Sequence, residues 1–202
     1  MSVTAGSTVF PGALATLKRE GGRLLVVGDA AGQRTVCRRL FGDPHERRQR
    51  MSVCLAEDTH ACQHTPATAR RVEVQKRATT DRVGSTTPVQ RLRDDVLTAI
   101  DRHTETDPDP SELRVCLGSL DHLVDAAQLD RLGPALQTAL DRVQQANGLA
   151  HAHLTASRDD YRVRSLEPLF DAVIEASVEP EPRQRWHLCS DDVTSGWLPL
   201  QQ

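Results

Sequence analysis

The segment Arg23–Gly28, Arg-Leu-Leu-Val-Val-Gly, restricts the fold of this sequence more than any other. Its apolar residues run without interruption, and glycines close it on both sides. A run this short and this uniformly apolar fits a fully buried parallel strand better than a helix. Small residues follow from Gly28 to Gly32. From Gln33 to Phe41 the apolar positions Val36, Cys37, Leu40 and Phe41 fall at helical spacing. Strand, glycine turn and helix in that order predict an α/β sheet. They also predict a point where an anion is favoured, because backbone N–H groups and the helix dipole meet at the start of the helix.

The alternation recurs along the chain. Phe10–Glu20 reads as a short amphipathic helix with Leu14 and Leu17 on one side, ended by Gly21-Gly22. Met51–Ala56 is a second strand candidate, and Arg71–Lys76, with Val72 and Val74 on one face, reads as an edge strand. Thr59–Ala69 and Thr79–Thr87 read as loops. Thr87-Pro88 looks like an N-cap followed by proline at the first helical position. The helix after it runs to about His103 with Leu92, Val96, Leu97 and Ile100 inward. Leu113–Leu117 is a third core strand. Leu129–Ala146 is a long helix with Leu129, Leu132, Leu136, Leu140 and Val143 inward, capped by Asn147-Gly148. A strand at Leu149–Thr155, a short helix near Val163–Phe170 and strands near Ala172–Ser177 and Gln184–Cys189 complete the pattern. The apolar tail Trp197–Leu200 is expected to dock on the body. These elements predict right-handed crossovers, a mostly parallel sheet and an antiparallel hairpin at one edge near the C-terminus. We expect one domain over residues 1–202, with 1–9 and 201–202 flexible.

Composition narrows the function classes. The chain is 38% apolar but only 3% aromatic, so its core rests on Leu, Val, Ile and Ala. No apolar run approaches the roughly 20 residues of a membrane helix. Met1–Phe10 lacks the basic-then-apolar pattern of a signal peptide. A soluble, cytoplasmic protein is expected. The net charge of −3 points away from nucleic acid and anionic membranes. Five cysteines at irregular spacing read as reduced and mostly buried thiols.

The turn fits one phosphate-binding pattern in part. Gly28-Asp29-Ala30-Ala31-Gly32-Gln33-Arg34-Thr35 has the register of G-x-x-x-x-G-K-[ST], with the first glycine and the final threonine in place. Gln33 stands where the second glycine lets the backbone curl round phosphates. Arg34 replaces the lysine with a longer, planar cation. Asp29 adds a negative charge beside the phosphate position. These changes argue against efficient hydrolysis and leave room for weak binding of ATP or another anion at Gly28, Gly32, Gln33, Arg34 and Thr35.

Later segments carry a family resemblance. Leu113–Val124, with Gly118-Ser119-Leu120, resembles the strand of RecA/KaiC-type ATPases that ends in an aspartate followed by Ser-Leu. Ala152–Thr155 and Leu166–Glu175, containing Phe170-Asp171, resemble their late strand and the segment after it. Arg183–Leu188 resembles their last hairpin strand, and Ser195–Leu200 is similar to the tail of uncharacterised haloarchaeal KaiC-like proteins with eroded ATPase motifs. The resemblance spans roughly Leu14–Leu200 and implies a three-layer RecA-like P-loop domain. Where the family has its Mg²⁺-organising aspartate, this chain has Gly118, and Asp121 lies three residues on. The family's catalytic acid follows its second strand, which makes Glu57, beside Asp58, the one catalytic candidate; as ordinary residues the two form a solvated loop pair. A carboxylate without the lysine and the metal aspartate cannot organise phosphoryl transfer.

Other constellations have plainer readings. Cys54, His60, Cys62 and His64 could hold zinc but lack regular ligand spacing, and read as an ordinary polar loop. His151 and His153 point to one side of a strand. They could form a metal or acid–base pair, and are expected to line a sheet face or meet the helix layer. Cys37 could be activated by a helix N-terminus but sits on an apolar stripe, which favours burial. Arg47, Arg48, Arg50, Arg70 and Arg71 form a basic group without interleaved aromatics, which reads as solvated surface. No metal site and no cofactor are expected. The resemblance implies a non-catalytic RecA/KaiC-like protein that acts by binding in signalling or regulation. Its partner would be a protein, either a second copy or an active KaiC-like relative. A slow Mg-dependent ATPase using Arg34 and Glu57 and a recombinase-like nucleic-acid-binding protein are the alternatives.

Overall fold

The computed structural model describes residues 9–43, 45–55, 70–74, 88–104, 109–110, 112–124, 129–190 and 193–200. The uninterrupted apolar run becomes β1 (Gly22–Gly28), and it lies inside the sheet, where both of its faces are covered. Parallel neighbours flank it: β5 (Leu149–Leu154) on one side and β6 (Ala172–Ser177) on the other. Beyond β5 come β4 (Leu113–Ser119), β2 (Gln49–Leu55) and, at the edge, β3 (Arg70–Val74), all parallel. Beyond β6 the direction reverses. The strand β7 (Arg183–Leu188) runs antiparallel to β6 and pairs in turn with the two-residue strands β8 (Val193–Thr194) and β9 (Leu198–Pro199). The expected parallel sheet with an antiparallel C-terminal edge is therefore present.

Helices cover both faces. Alternate residues of β1 separate the two cores, as the period of a strand requires. Leu25 and Val27 face a cluster that includes Val96 and Ile100 of α3 (Pro88–Thr104) and Leu132, Leu136, Leu140 and Val143 of α4 (Leu129–Gln145). Leu24 and Val26 face the other cluster, with Val36 of α2 (Ala30–Phe41) and the half-buried Leu14 and Leu17 of α1 (Val9–Glu20). The helix α5 (Tyr161–Leu166) and a 3₁₀ turn at Glu167–Leu169 lead into β6. The 3₁₀ turn begins where Pro168 cannot continue the helical ladder.

Three expectations need correction. First, α2 begins at Ala30, not at Gln33, so Ala30–Gly32 are helical rather than part of a turn. Asp29 is the reason: it is extended and accepts from the first helical turn as an N-cap. Second, Arg50 is not solvated. It is 4% exposed, and its guanidinium donates to the carbonyls of Phe41 (3.1 Å), Arg48 and Asp43, closing the C-terminal end of α2. Arg48 pairs with Glu46, Arg47 is open to solvent, and the side chains of Arg70 and Arg71 lie outside the described residues. Third, the tail docks through Leu200, which is buried, whereas Trp197 stays partly exposed with the guanidinium groups of Arg183 and Arg185 over its ring, 4.5 and 4.7 Å from the ring centre. Among the described residues, no helix is long and apolar enough to cross a membrane.

Candidate functional site

The C-terminal ends of parallel strands, where helices begin, are the usual ligand position in such sheets. At the end of β1 the chain makes its tightest approach. Gly28 has φ +114°, and a Cβ there would lie 2.0 Å from the Ala176 carbonyl oxygen of β6. Only glycine meets both demands. Gly32, one turn into α2, is also pressed against β6: a Cβ would lie 2.9 Å from Ser177 N. These two glycines let α2 start directly on the sheet.

The start of α2 is already furnished with an anion from its own chain. Asp29 Oδ1 accepts from Gly32 N at 2.7 Å, and its Oδ2 accepts from Val178 N at 3.1 Å, beyond the end of β6. The carboxylate therefore takes up the Gly32 N–H, one of the helix-start donors that a bound phosphate would use. Gln33 is 5% exposed and occupies the space beneath the turn. Its Nε2 donates to the carbonyls of Gly28 (2.8 Å) and Leu154 (3.0 Å), joining the ends of β1 and β5. In the phosphate-binding pattern that position is a glycine with no side chain. The Thr35 hydroxyl donates back to the Ala31 carbonyl at 3.3 Å, and Arg34 is half-buried in the second turn. Gly28, Gly32, Gln33, Arg34 and Thr35 are thus brought together as a capped helix start, not as a loop curled round a ligand.

Neighbouring positions fit this picture. Gly118 ends a bulge in β4 with φ +73° and offers no carboxylate. The carboxylate three residues on, Asp121, is engaged elsewhere: Oδ2 accepts from Ser119 Oγ (2.7 Å) and Oδ1 from Thr155 N (2.9 Å), tying β4 to the residue after β5. Glu57, Asp58, His60, Cys62 and His64 lie outside the described residues, as does the side chain of Cys54. Cys37 is buried, as its place on the apolar stripe predicts, and His151 and His153 are buried on the sheet face that meets α2.

Two buried arginines gave no sequence signal beyond their charge. Arg50 is the helix closure described above. Arg114, 5% exposed in β4, lines a cavity of about 420 Å³ under α1 and α2. Burial, and next the charge of Arg48, push its guanidinium down to about 10. Both lie in strands, and β4 is buried along its whole length, so alternation cannot single them out.

A model of a family of unknown function (DUF7504) matches residues 21–176, the stretch from before β1 to the end of β6 that includes the capped helix start. No protein of curated function matches the chain. Among solved structures, the chain is similar to a KaiC-like protein from the hyperthermophilic archaeon Pyrococcus horikoshii OT3. The two are 13% identical, with a TM-score of 0.53 over 84% of this chain and 79% of that one. At that identity the likeness shows the fold, which is RecA/KaiC-like.

Proposed function

The chain belongs to a family of unknown function (DUF7504), and from that membership and its KaiC-like fold we propose that it is a non-catalytic RecA/KaiC-like protein that acts by binding in signalling or regulation. The observation that carries this reading is the Asp29 carboxylate at the start of α2. Phosphoryl transfer depends on positioned cations and on N–H groups around the phosphates. Here a fixed negative charge stands at that point, a buried glutamine side chain fills the space below it, and glycine replaces the metal-organising aspartate. A triphosphate entering the helix start would have to displace Asp29 and be repelled by it.

A fold kept without its reaction is useful as a surface. The proposed partner is a protein, either a second copy or a catalytically active relative of the same fold. No cofactor is required, and ATP binds weakly or not at all.

The test is phosphate release from MgATP by the purified chain alongside Arg34→Ala. The reading predicts no release above buffer for either protein. Release that Arg34→Ala abolishes would overturn it in favour of a slow ATPase. Partner binding is read separately, by co-purification from the native host with and without ATP, where recovery independent of ATP is expected.

A further inference from the structure

Cys37, Cys116, His151 and His153 come from three different elements and meet in the core between α2 and the sheet. The pairing of β4 with β5 sets Cys116 opposite His151, and His153 follows two residues on, so both imidazoles share a face. Cys37, in the second turn of α2, closes the group from above. The four ligand atoms all lie within 4.8 Å of one another, with Cys37 Sγ 3.9 Å from Cys116 Sγ and 3.3 Å from His151 Nε2. A tetrahedral zinc with bonds of about 2.3 Å to sulfur and about 2.0 Å to nitrogen needs sulfurs roughly 3.8 Å apart and sulfur–nitrogen gaps of roughly 3.5 Å. The two Cys37 distances match that size, and the full spread of 4.8 Å is about 1 Å wider, so the side chains close on the ion by small rotations.

A second observation points to a ligand. His153 Nε2 is buried and finds no hydrogen-bond partner among the described residues, in a residue that is 4% exposed, while His151 already turns its Nε2 to Cys37 Sγ. Buried polar nitrogens are almost always paired, and an unpaired imidazole nitrogen in a group with two thiols calls for an explanation. The Phe41 ring stands edge-on to His151, at 5.3 Å and 78°, and fixes its orientation.

We propose that Cys37, Cys116, His151 and His153 form a closed structural site for a borderline-soft divalent ion, zinc, that pins α2 to β4 and β5. Two thiolates neutralise the charge of the ion, so the set can lie in an apolar core at no net charge. Four protein ligands complete a tetrahedron and leave no open position for a substrate, which makes the role structural. Binding releases the two thiol protons to solvent. No electron is transferred.

The test uses the full chain. Zinc is counted by elemental mass spectrometry after purification without chelator, for the unaltered protein and for Cys116→Ser and His153→Gln. Because buried variants can fail to fold, the unaltered chain is also refolded with Co²⁺ and its visible spectrum recorded. The proposal expects about one zinc per chain, at least a tenfold loss in each variant, and cobalt bands of tetrahedral intensity with a thiolate charge-transfer band. It is overturned by less than about a tenth of a zinc per chain after refolding in excess zinc, by the absence of the cobalt bands, or by a Cys37–Cys116 disulfide in freshly purified protein. The disulfide would identify a redox pair instead. Another metal at full occupancy overturns the choice of zinc.

Discussion

Replacing Asp29 with alanine tests the reading of the helix start from two directions. The substitution removes an N-cap, worth about 1 kcal/mol, and the favourable placement of a negative charge at a helix N-terminus, worth about 0.3–1 kcal/mol. It also strips the half-buried Val178 N–H of its acceptor, worth about 1 kcal/mol. The expected loss is about 2–3 kcal/mol, which for a chain of this size lowers Tm by roughly 4–12 °C. Asp29→Asn keeps an oxygen for Gly32 N but cannot accept at both arms with charge, so its loss is intermediate. The second direction is rescue. With the carboxylate gone, the helix start is open to an external anion. Sulfate tenfold above its dissociation constant would return about 1.4 kcal/mol to Asp29→Ala. Because sulfate stabilises proteins generally, the quantity to read is the gain of the variant over that of the unaltered chain in the same titration, by thermal or urea unfolding. The reasoning is refuted if Asp29→Ala loses less than about 0.5 kcal/mol, or if sulfate stabilises both proteins equally.

Gln33→Met keeps the volume but leaves the Gly28 and Leu154 carbonyls without their donor. It should cost about 2 kcal/mol in urea unfolding, and no loss would mean that the amide is not a structural bridge. Arg50→Met should cost about 2–4 kcal/mol by the same assay, and Arg50→Lys should recover only part of it, because one ammonium cannot reproduce the fork. Glu175 gives a pH signature. Its hydrogen bond with His187, and next that with Arg185, hold its carboxyl below the ordinary range. A carboxyl depressed in the folded state contributes stability that is present above its unfolded pKa of about 4.3 and is lost as pH falls through the folded value. Unfolding free energy should therefore fall below about pH 5 more steeply than in Glu175→Gln; parallel profiles would remove the assignment.

The parallel sheet was legible because its cause is local: uninterrupted apolar runs such as Leu24–Val27 can only be buried on both faces. The start of α2 was misplaced although its signal was present. Asp29 followed by two alanines is a good N-cap and first turn, but matching the segment to a phosphate-binding register placed the helix three residues late. Asp29 appeared in that register only as an unfavourable charge, because its second partner, Val178, is 149 residues away. The cysteine–histidine group was illegible for the same reason. His151 and His153 share a face by strand period alone. That Cys116 lies opposite them depends on the register of β4 against β5, and that Cys37 lies above them depends on the packing of α2. Arg50 was read with its basic neighbours as surface, since charge clusters in sequence do not reveal which member the strand turns inward.

Titration calorimetry of MgATP into the unaltered chain tests the central claim most directly. With the Asp29 carboxylate bonded to Gly32 N and Val178 N and Gln33 buried beside them, the account predicts no saturable, magnesium-dependent heat at millimolar nucleotide. Saturable binding with magnesium dependence, weakened by Arg34→Ala, would contradict it.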